Sequence, residues 1–157
     1  MKGDNRLIDK LNDLLRQELT AINQYMVHAE MTENWGYNRI YDAVRERSIR
    51  EMVHAERLIE RIIFLEGQPT VSNLDQIRIG QDVASQFNLD LELERYAIRV
   101  YNEGIQLANE VGDSVTRDLL EDIAEDEDKH IDWLETQRDQ IAQLTAPLYL
   151  SSQMIKQ

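Results

Sequence analysis

In the stretch Arg50-Glu51-Met52-Val53-His54-Ala55-Glu56 a carboxylate and an imidazole stand where a helix should be apolar. The segment holds neither Gly nor Pro and consists largely of good helix formers. Its core-facing stripe runs Ile40, Val44, Glu51, His54, Leu58, Leu65, at spacings of three, four or seven. Three more stripes are interrupted near their middle: Leu11, Leu15, Glu18, Ile22, Tyr25, Ala29; Phe87, Leu91, Glu94, Ile98, Tyr101, Ile105; and Leu120, Ile123, Glu127, His130, Leu134, Ile141. Glu94, Glu127 and His130 each lie 76 residues after Glu18, Glu51 and His54, and the same offset carries Leu15 to Leu91, Ile22 to Ile98, Tyr25 to Tyr101, Gly36 to Gly112 and Leu58 to Leu134. The chain therefore reads as a duplicated helical hairpin, and its fold must satisfy six polar side chains in the middle of the core.

Helices are predicted over about residues 5–34, 38–66, 82–111 and 113–144, with a short C-terminal helix over about 147–155 that carries Leu148, Tyr149 and Leu150. Only 6 Gly and 2 Pro in 157 residues suit an all-α chain in one domain. Gly36 and Gly112 fall at the two hairpin turns, and Gly67 with Pro69 is expected to close the second helix in the same way. Residues 67–80, GQPTVSNLDQIRIG, span roughly 45 Å at about 3.3 Å per residue. That matches a helix of about 28 residues. The segment can cross the whole bundle and leave the second and third helices parallel, which is the one-crossover topology among four-helix bundles.

The levels of the interruptions agree. Residues of an antiparallel hairpin meet when their numbers average to the turn; 18 and 54 average to 36, and 94 and 130 to 112. Glu18 is thus placed opposite Glu51 and His54, and Glu94 opposite Glu127 and His130, each set roughly 27 Å from its turn.

Six ligands at one height point to metal. Glu-x-x-His puts both side chains on one helix face, and two divalent cations would neutralise four buried carboxylates. Oxygen and imidazole donors without sulfur suit iron or manganese, while zinc and cobalt fit the same donors. Glu51 and Glu127 are expected to bridge, with Glu18 and His54 terminal on one metal and Glu94 and His130 on the other. Tyr25 and Tyr101 follow their glutamates by seven and are expected to pack in the core with bonded hydroxyls. Tyr25 is also a candidate catalytic residue, through a redox role beside the metals. His28 has Gly104 as its counterpart and is expected at the surface. Met52 lies on a second stripe with Ile49, Ile59 and Ile63, which implies packing against a partner subunit or ligation of a haem.

Other classes are excluded by composition. A net charge of −13 and a pI near 4.6 argue against nucleic acid and anionic membranes as partners. The absence of cysteine removes disulfides, thiol catalysis and thiolate metal sites, and permits a cytoplasmic location. Neither a signal peptide nor a membrane span is expected from the hydropathy pattern.

With these residues placed, the chain resembles the bacterioferritins, the haem-containing ferritins, in ELTAINQY, NWG, EMVHAERLIERIIFLEG, SNLDQIRIG, TRDLLEDI and HIDWLET. The resemblance implies a ferritin-like four-helix bundle with a long crossover and a short C-terminal helix, assembled into a cytoplasmic cage of twenty-four chains, homo-oligomeric or with a second subunit type. Such a cage oxidises Fe(II) with dioxygen or hydrogen peroxide at a ferroxidase centre of two irons per chain, formed by Glu18, Glu51, His54, Glu94, Glu127 and His130, and stores ferric mineral inside. It also implies a b-type haem shared between two subunits through Met52, near Asn23, Met26 and Ile49, and a ferredoxin-type reductant for iron release. This chain departs from the resemblance at Glu46 and Arg50, where relatives can carry an inner iron site, at Leu148 and Ser151 near the four-fold axis, and at Arg45 and Val53 beside the haem. The rival readings are a di-iron peroxidase or oxygenase subunit, and a haem-binding or structural subunit whose metal site is idle.

Overall fold

The computed structural model describes residues 1–154. It contains α1 (Asn5–Asn34), α2 (Asn38–Phe64), α3 (Val83–Glu110), α4 (Ser114–Leu144) and α5 (Ala146–Ser152), with no strand among the described residues. The predicted end of the tail helix at residue 155 lies outside the described residues.

Short polar side chains start three of the helices. Asp4 accepts from the Arg6 N–H at the head of α1, Asp82 and Ser85 form a capping box on α3, and Asp113 accepts from the Thr116 N–H on α4. The hairpin turns behave as predicted: Gly36 (φ +85°) and Gly112 (φ +76°) are left-handed, and the following N–H groups, of Tyr37 and Asp113, return to the carbonyls of Thr32 and Ala108. The end of α2 differs. The left-handed residue there is Glu66 (φ 62°), and the Gly67 N–H closes onto Ile62 O. Gly67 is needed for space, because a Cβ would lie 2.6 Å from Ile8 Cγ2.

In α1 and α2, α3 and α4, and α1 and α3 the helix backbones approach closely, whereas α2 and α4 are joined mainly by long side chains. Arg50 reaches Asp126 (2.7 Å), Arg57 reaches Asp122 (2.7 Å) and Arg61 reaches Asp113 (3.0 Å) across that seam. The apolar core divides into two parts. One holds Leu7, Leu11, Leu14, Leu58, Ile62, Val100 and Leu120; the other holds Ala29, Ile40, Val44, Phe87, Leu91, Leu134 and Tyr149. The interrupting acids occupy the layer between them in sequence register. Fully burying one aliphatic or aromatic side chain of this size contributes roughly 1.5–3 kcal/mol, so both halves favour the same helix alignment. The tail helix docks through Tyr149, whose hydroxyl donates to Gln137 Oε1 at 2.6 Å.

Residues 65–82 form the crossover, and one polar stripe of α1 holds it. Asn12 bonds the backbone of Gln68 and Thr70, Arg16 pairs with Asp75 at 3.0 Å, Thr20 accepts from the Asp75 N–H, Gln24 accepts from the Arg78 N–H, and His28 accepts from the Gly80 N–H. These α1 residues recur every fourth position, so the segment runs along α1 in the same direction and α3 begins beside the far end of α1. As predicted, α2 and α3 are then parallel. His28 corrects the sequence reading: it is buried, not at the surface. Because its Nε2 accepts from Gly80 (3.0 Å), its Nδ1 carries the proton and donates to Asp90 Oδ1 (2.9 Å), which also accepts from Gln24. A lone polar residue in a sequence cannot reveal that a later loop returns to cover it.

His28→Ala leaves the Gly80 N–H and a buried Asp90 short of a partner. A loss of about 2–4 kcal/mol is expected, seen as a lower thermal midpoint together with faster amide exchange at Gly80. Unchanged exchange there would show that the crossover is held by other contacts.

Candidate metal centre

The hairpin geometry brings all six sequence-predicted ligands together. Glu18 comes from α1, Glu51 and His54 from α2, Glu94 from α3, and Glu127 and His130 from α4. All six are buried. They form two overlapping groups, Glu18, Glu51, His54 and Glu127, and Glu51, Glu94, Glu127 and His130. Within each group, one donor atom from every residue lies within 4.8 Å of the others. Glu51 and Glu127 belong to both, which is the relation a bridging carboxylate has to two cations. Several of these atoms, Glu18 Oε2, Glu94 Oε2 and His130 Nδ1, are buried without a hydrogen-bond partner. Oxygen and imidazole donors left in this state fit hard or borderline divalent cations.

Burial and neighbouring charges act unequally on the four carboxyls. Burial, followed by the neighbouring Glu51, pushes the Glu18 carboxyl well above the usual carboxylate range; burial and Glu51 do the same to Glu127. Burial acts upward on Glu94 too, but a hydrogen bond shared with Glu127 and the nearby His130 outweigh it and hold Glu94 low. Burial and like charge thus press upward on one carboxyl of each half of the repeat, Glu18 in the first and Glu127 in the second.

The two tyrosines cross between the halves. Tyr25 donates to Glu94 Oε1, and Tyr101 donates to Glu18 Oε1 at 2.5 Å. Spacing sets each tyrosine on the face of the glutamate seven residues before it without naming its hydroxyl's partner, and packing of α1 on α3 gives each the glutamate of the other half. Burial, and then the acid each one touches, raise both phenols well above their ordinary value, so both remain donors. Tyr25 also meets the His130 ring edge-on (centroids 5.3 Å apart), and His130 stacks on Trp133 (6.2 Å).

The outer contacts break the symmetry of the repeat. His54 Nε2 lies 2.7 Å from Asp126 Oδ2, and Nδ1 lies 2.9 Å from Glu127 Oε1. A histidine that gives one nitrogen to a carboxylate and turns the other inward is oriented as a metal ligand, and burial lowers its pKa toward the neutral form. The repeat partner of Asp126 is position 50, where this chain has Arg50. Arg50 supplies no acceptor to His130 and binds Asp126 instead. Sequence reasoning also missed Arg47. It is buried, with Nη2 at 2.6 Å from Glu51 Oε1 and 3.0 Å from Glu127 Oε2. Its spacing of i, i+4 from Glu51 resembles an ordinary surface helix pair, and the available signal was the repeat, which aligns position 47 with Ile123 on a core stripe. A cavity of about 260 Å³ lined by Arg50, His54, Arg57, Asp122 and Asp126 opens on the α2–α4 seam beside these groups.

Met52 is not part of this cluster. It is 47% exposed in the single chain, as are Met26 at 51%, Ile49 at 42% and Ile63 at 59%. Leu148 and Ser151 are exposed on α5, and Glu46 and Arg50 on α2. No helix among the described residues is long and apolar enough to cross a membrane.

Comparison with known proteins places the chain in a family. The family model for the ferritin-like domain matches residues 8–144. The chain is 42% identical to a bacterioferritin of Brucella melitensis over 149 residues, covering 95% of this chain and 92% of the relative. It is 45% identical to one of Rhodobacter capsulatus over 137 residues, covering 87% and 85%, and 42% identical to one of Mycolicibacterium paratuberculosis over 149 residues, covering 95% and 94%. A ferritin-like domain match across the bundle, together with relatives at this identity over nearly the whole chain, makes this protein a member of the bacterioferritin family.

Proposed function

We propose that the protein stores iron and oxidises it on entry: Fe(II) is the substrate, bound as a pair by Glu18, Glu51, His54, Glu94, Glu127 and His130. The observation that carries this reading is the pair of buried donor groups sharing Glu51 and Glu127. Each Fe(II) gives up one electron, so a pair supplies the two electrons that reduce dioxygen to hydrogen peroxide, or hydrogen peroxide to water. Glu51 and Glu127 hold the pair together, while Glu18 with His54 and Glu94 with His130 complete the two positions. Tyr101 and Tyr25 hold Glu18 and Glu94 in place through their hydroxyls. Tyr25, against Glu94 and the His130 ring, is the redox-active candidate beside the pair.

The family supports assembly into a hollow cage of twenty-four copies, alone or with a second subunit type, in the cytoplasm, with ferric mineral inside. The exposed Met26, Ile49 and Met52 suit an apolar contact between subunits, and the Met52 thioether would hold the iron of a b-type haem shared by two chains. Such a haem would supply a one-electron relay. A ferredoxin-type partner would deliver electrons to it for iron release.

Fe(II) titrated into metal-free protein in air should give a fast ferric absorbance phase that saturates near two irons per chain, followed by slow growth. Glu51→Ala and Glu127→Ala should abolish the fast phase while the assembly keeps its size-exclusion mass; a fast phase surviving both would remove the mechanism. Since burial and the neighbouring carboxylates raise the Glu18 and Glu127 carboxyls above the usual range, protons compete with cations for them. Affinity for Zn(II) should therefore rise with pH, with proton release measurable by calorimetry in buffers of different ionisation enthalpy. Heats that do not depend on the buffer would contradict this proton inventory. With haem bound, Met52→Ala should alter the Soret band, and an identical spectrum would exclude that ligand.

A further inference from the structure

One buried side chain at the centre is explained neither by the ligand set nor by the repeat. Position 47 on α2 corresponds, 76 residues on, to Ile123 of α4, a fully buried core residue. An arginine stands there, 8% exposed. Its Nη2 contacts Glu51 Oε1 (2.6 Å) and Glu127 Oε2 (3.0 Å), the two carboxylates common to both donor groups. Its Nη1 reaches Asp126 Oδ2 at 3.4 Å, and its Nε has no partner.

We propose that Arg47 is a built-in competitor for the cations, its guanidinium occupying the two shared carboxylates in the metal-free protein and turning out toward Asp126 when two divalent ions enter. The inference rests on the reading of the six residues as a two-cation site. A carboxylate that bridges two cations uses both oxygens, and Arg47 covers one oxygen of each candidate bridge. Two divalent cations already balance four carboxylates, so a guanidinium left at that distance adds uncompensated positive charge beside them. The guanidinium also has somewhere to go. Asp126, partly exposed and already in contact with Nη1, can act as the pivot, and a cavity of about 210 Å³ lined by Glu46, Arg50, Lys129 and Trp133 adjoins Arg47. Arg47 thereby keeps the acids paired when metal is scarce, at the expense of affinity when it is present.

The test uses Zn(II), which binds without redox chemistry, and the assembled protein. Zn(II) affinity is measured by competition with a chromophoric chelator for the wild type, Arg47→Gln and Arg47→Lys, and the thermal midpoint is read with and without Zn(II). Arg47→Gln should bind about tenfold or more tightly, while its metal-free midpoint falls and the gap between free and loaded forms widens. Arg47→Lys, which keeps the charge but not the fork, should fall between the two and serves if the glutamine variant does not assemble. Two Zn(II) per chain in the wild type with equal or weaker binding in the variants would overturn the role of Arg47 alone. A Zn(II)-loaded crystal structure with Arg47 still on both shared carboxylates would do the same. Failure of the wild type to bind Zn(II) would overturn the metal-site reading, and this inference with it.

Discussion

Four carboxylates buried at one level of a helical bundle set the terms for the rest of this structure. Two like unit charges about 4 Å apart in a protein interior of moderate polarity repel by roughly 4 kcal/mol, so Glu18, Glu51, Glu94 and Glu127 cannot all ionise there without compensation. The chain supplies it in several ways at once: raised carboxyls at Glu18 and Glu127, two tyrosine hydroxyls, two histidines and one buried guanidinium. Each is a substitute of lower charge than a divalent cation, and each leaves donor atoms unpaired. The layer is therefore held ready without being fully satisfied, which is the state expected of a site that takes up and releases ions.

The apolar core adapts to that layer. It splits into two clusters, one on either side of the acids in sequence register, and each draws residues from both hairpins. Such a division fixes the axial register of all four helices, because sliding one helix by a turn would set a carboxylate against leucines. The crossover has its own register device in Asn12, Arg16, Thr20, Gln24 and His28, spaced by four along α1. A polar stripe on the outer side of α1 and an acidic layer on its inner side thus position α3 independently of one another.

Much of this was legible beforehand, for a physical reason. Helix periodicity, the offset of 76 and the two turn glycines are local or linear properties, and helix rise converts residue numbers into heights. That was enough to place the four long helices within a few residues and to assemble Glu18, Glu51, His54, Glu94, Glu127 and His130. The unread parts involve contacts between segments with no common periodicity. His28 looked like a surface residue because its partners, Gly80 and Asp90, lie on a loop and on another helix. Gly67 was assigned the backbone role that Glu66 has, since local sequence does not report that Ile8 crowds the position.

The sequence by itself determined the all-α hairpin repeat, the parallel relation of α2 and α3, and the identity and common level of the six candidate ligands. It did so because these depend on residue type, spacing and helix rise. Only the tertiary structure decided which groups surround the ligands. Tyr25 serves Glu94 and Tyr101 serves Glu18 because α1 packs on α3, and Arg47 reaches both shared carboxylates because the α2–α4 seam is wide enough to admit a guanidinium. Helix periodicity specifies the face a side chain occupies; the neighbour it meets there depends on how whole helices pack.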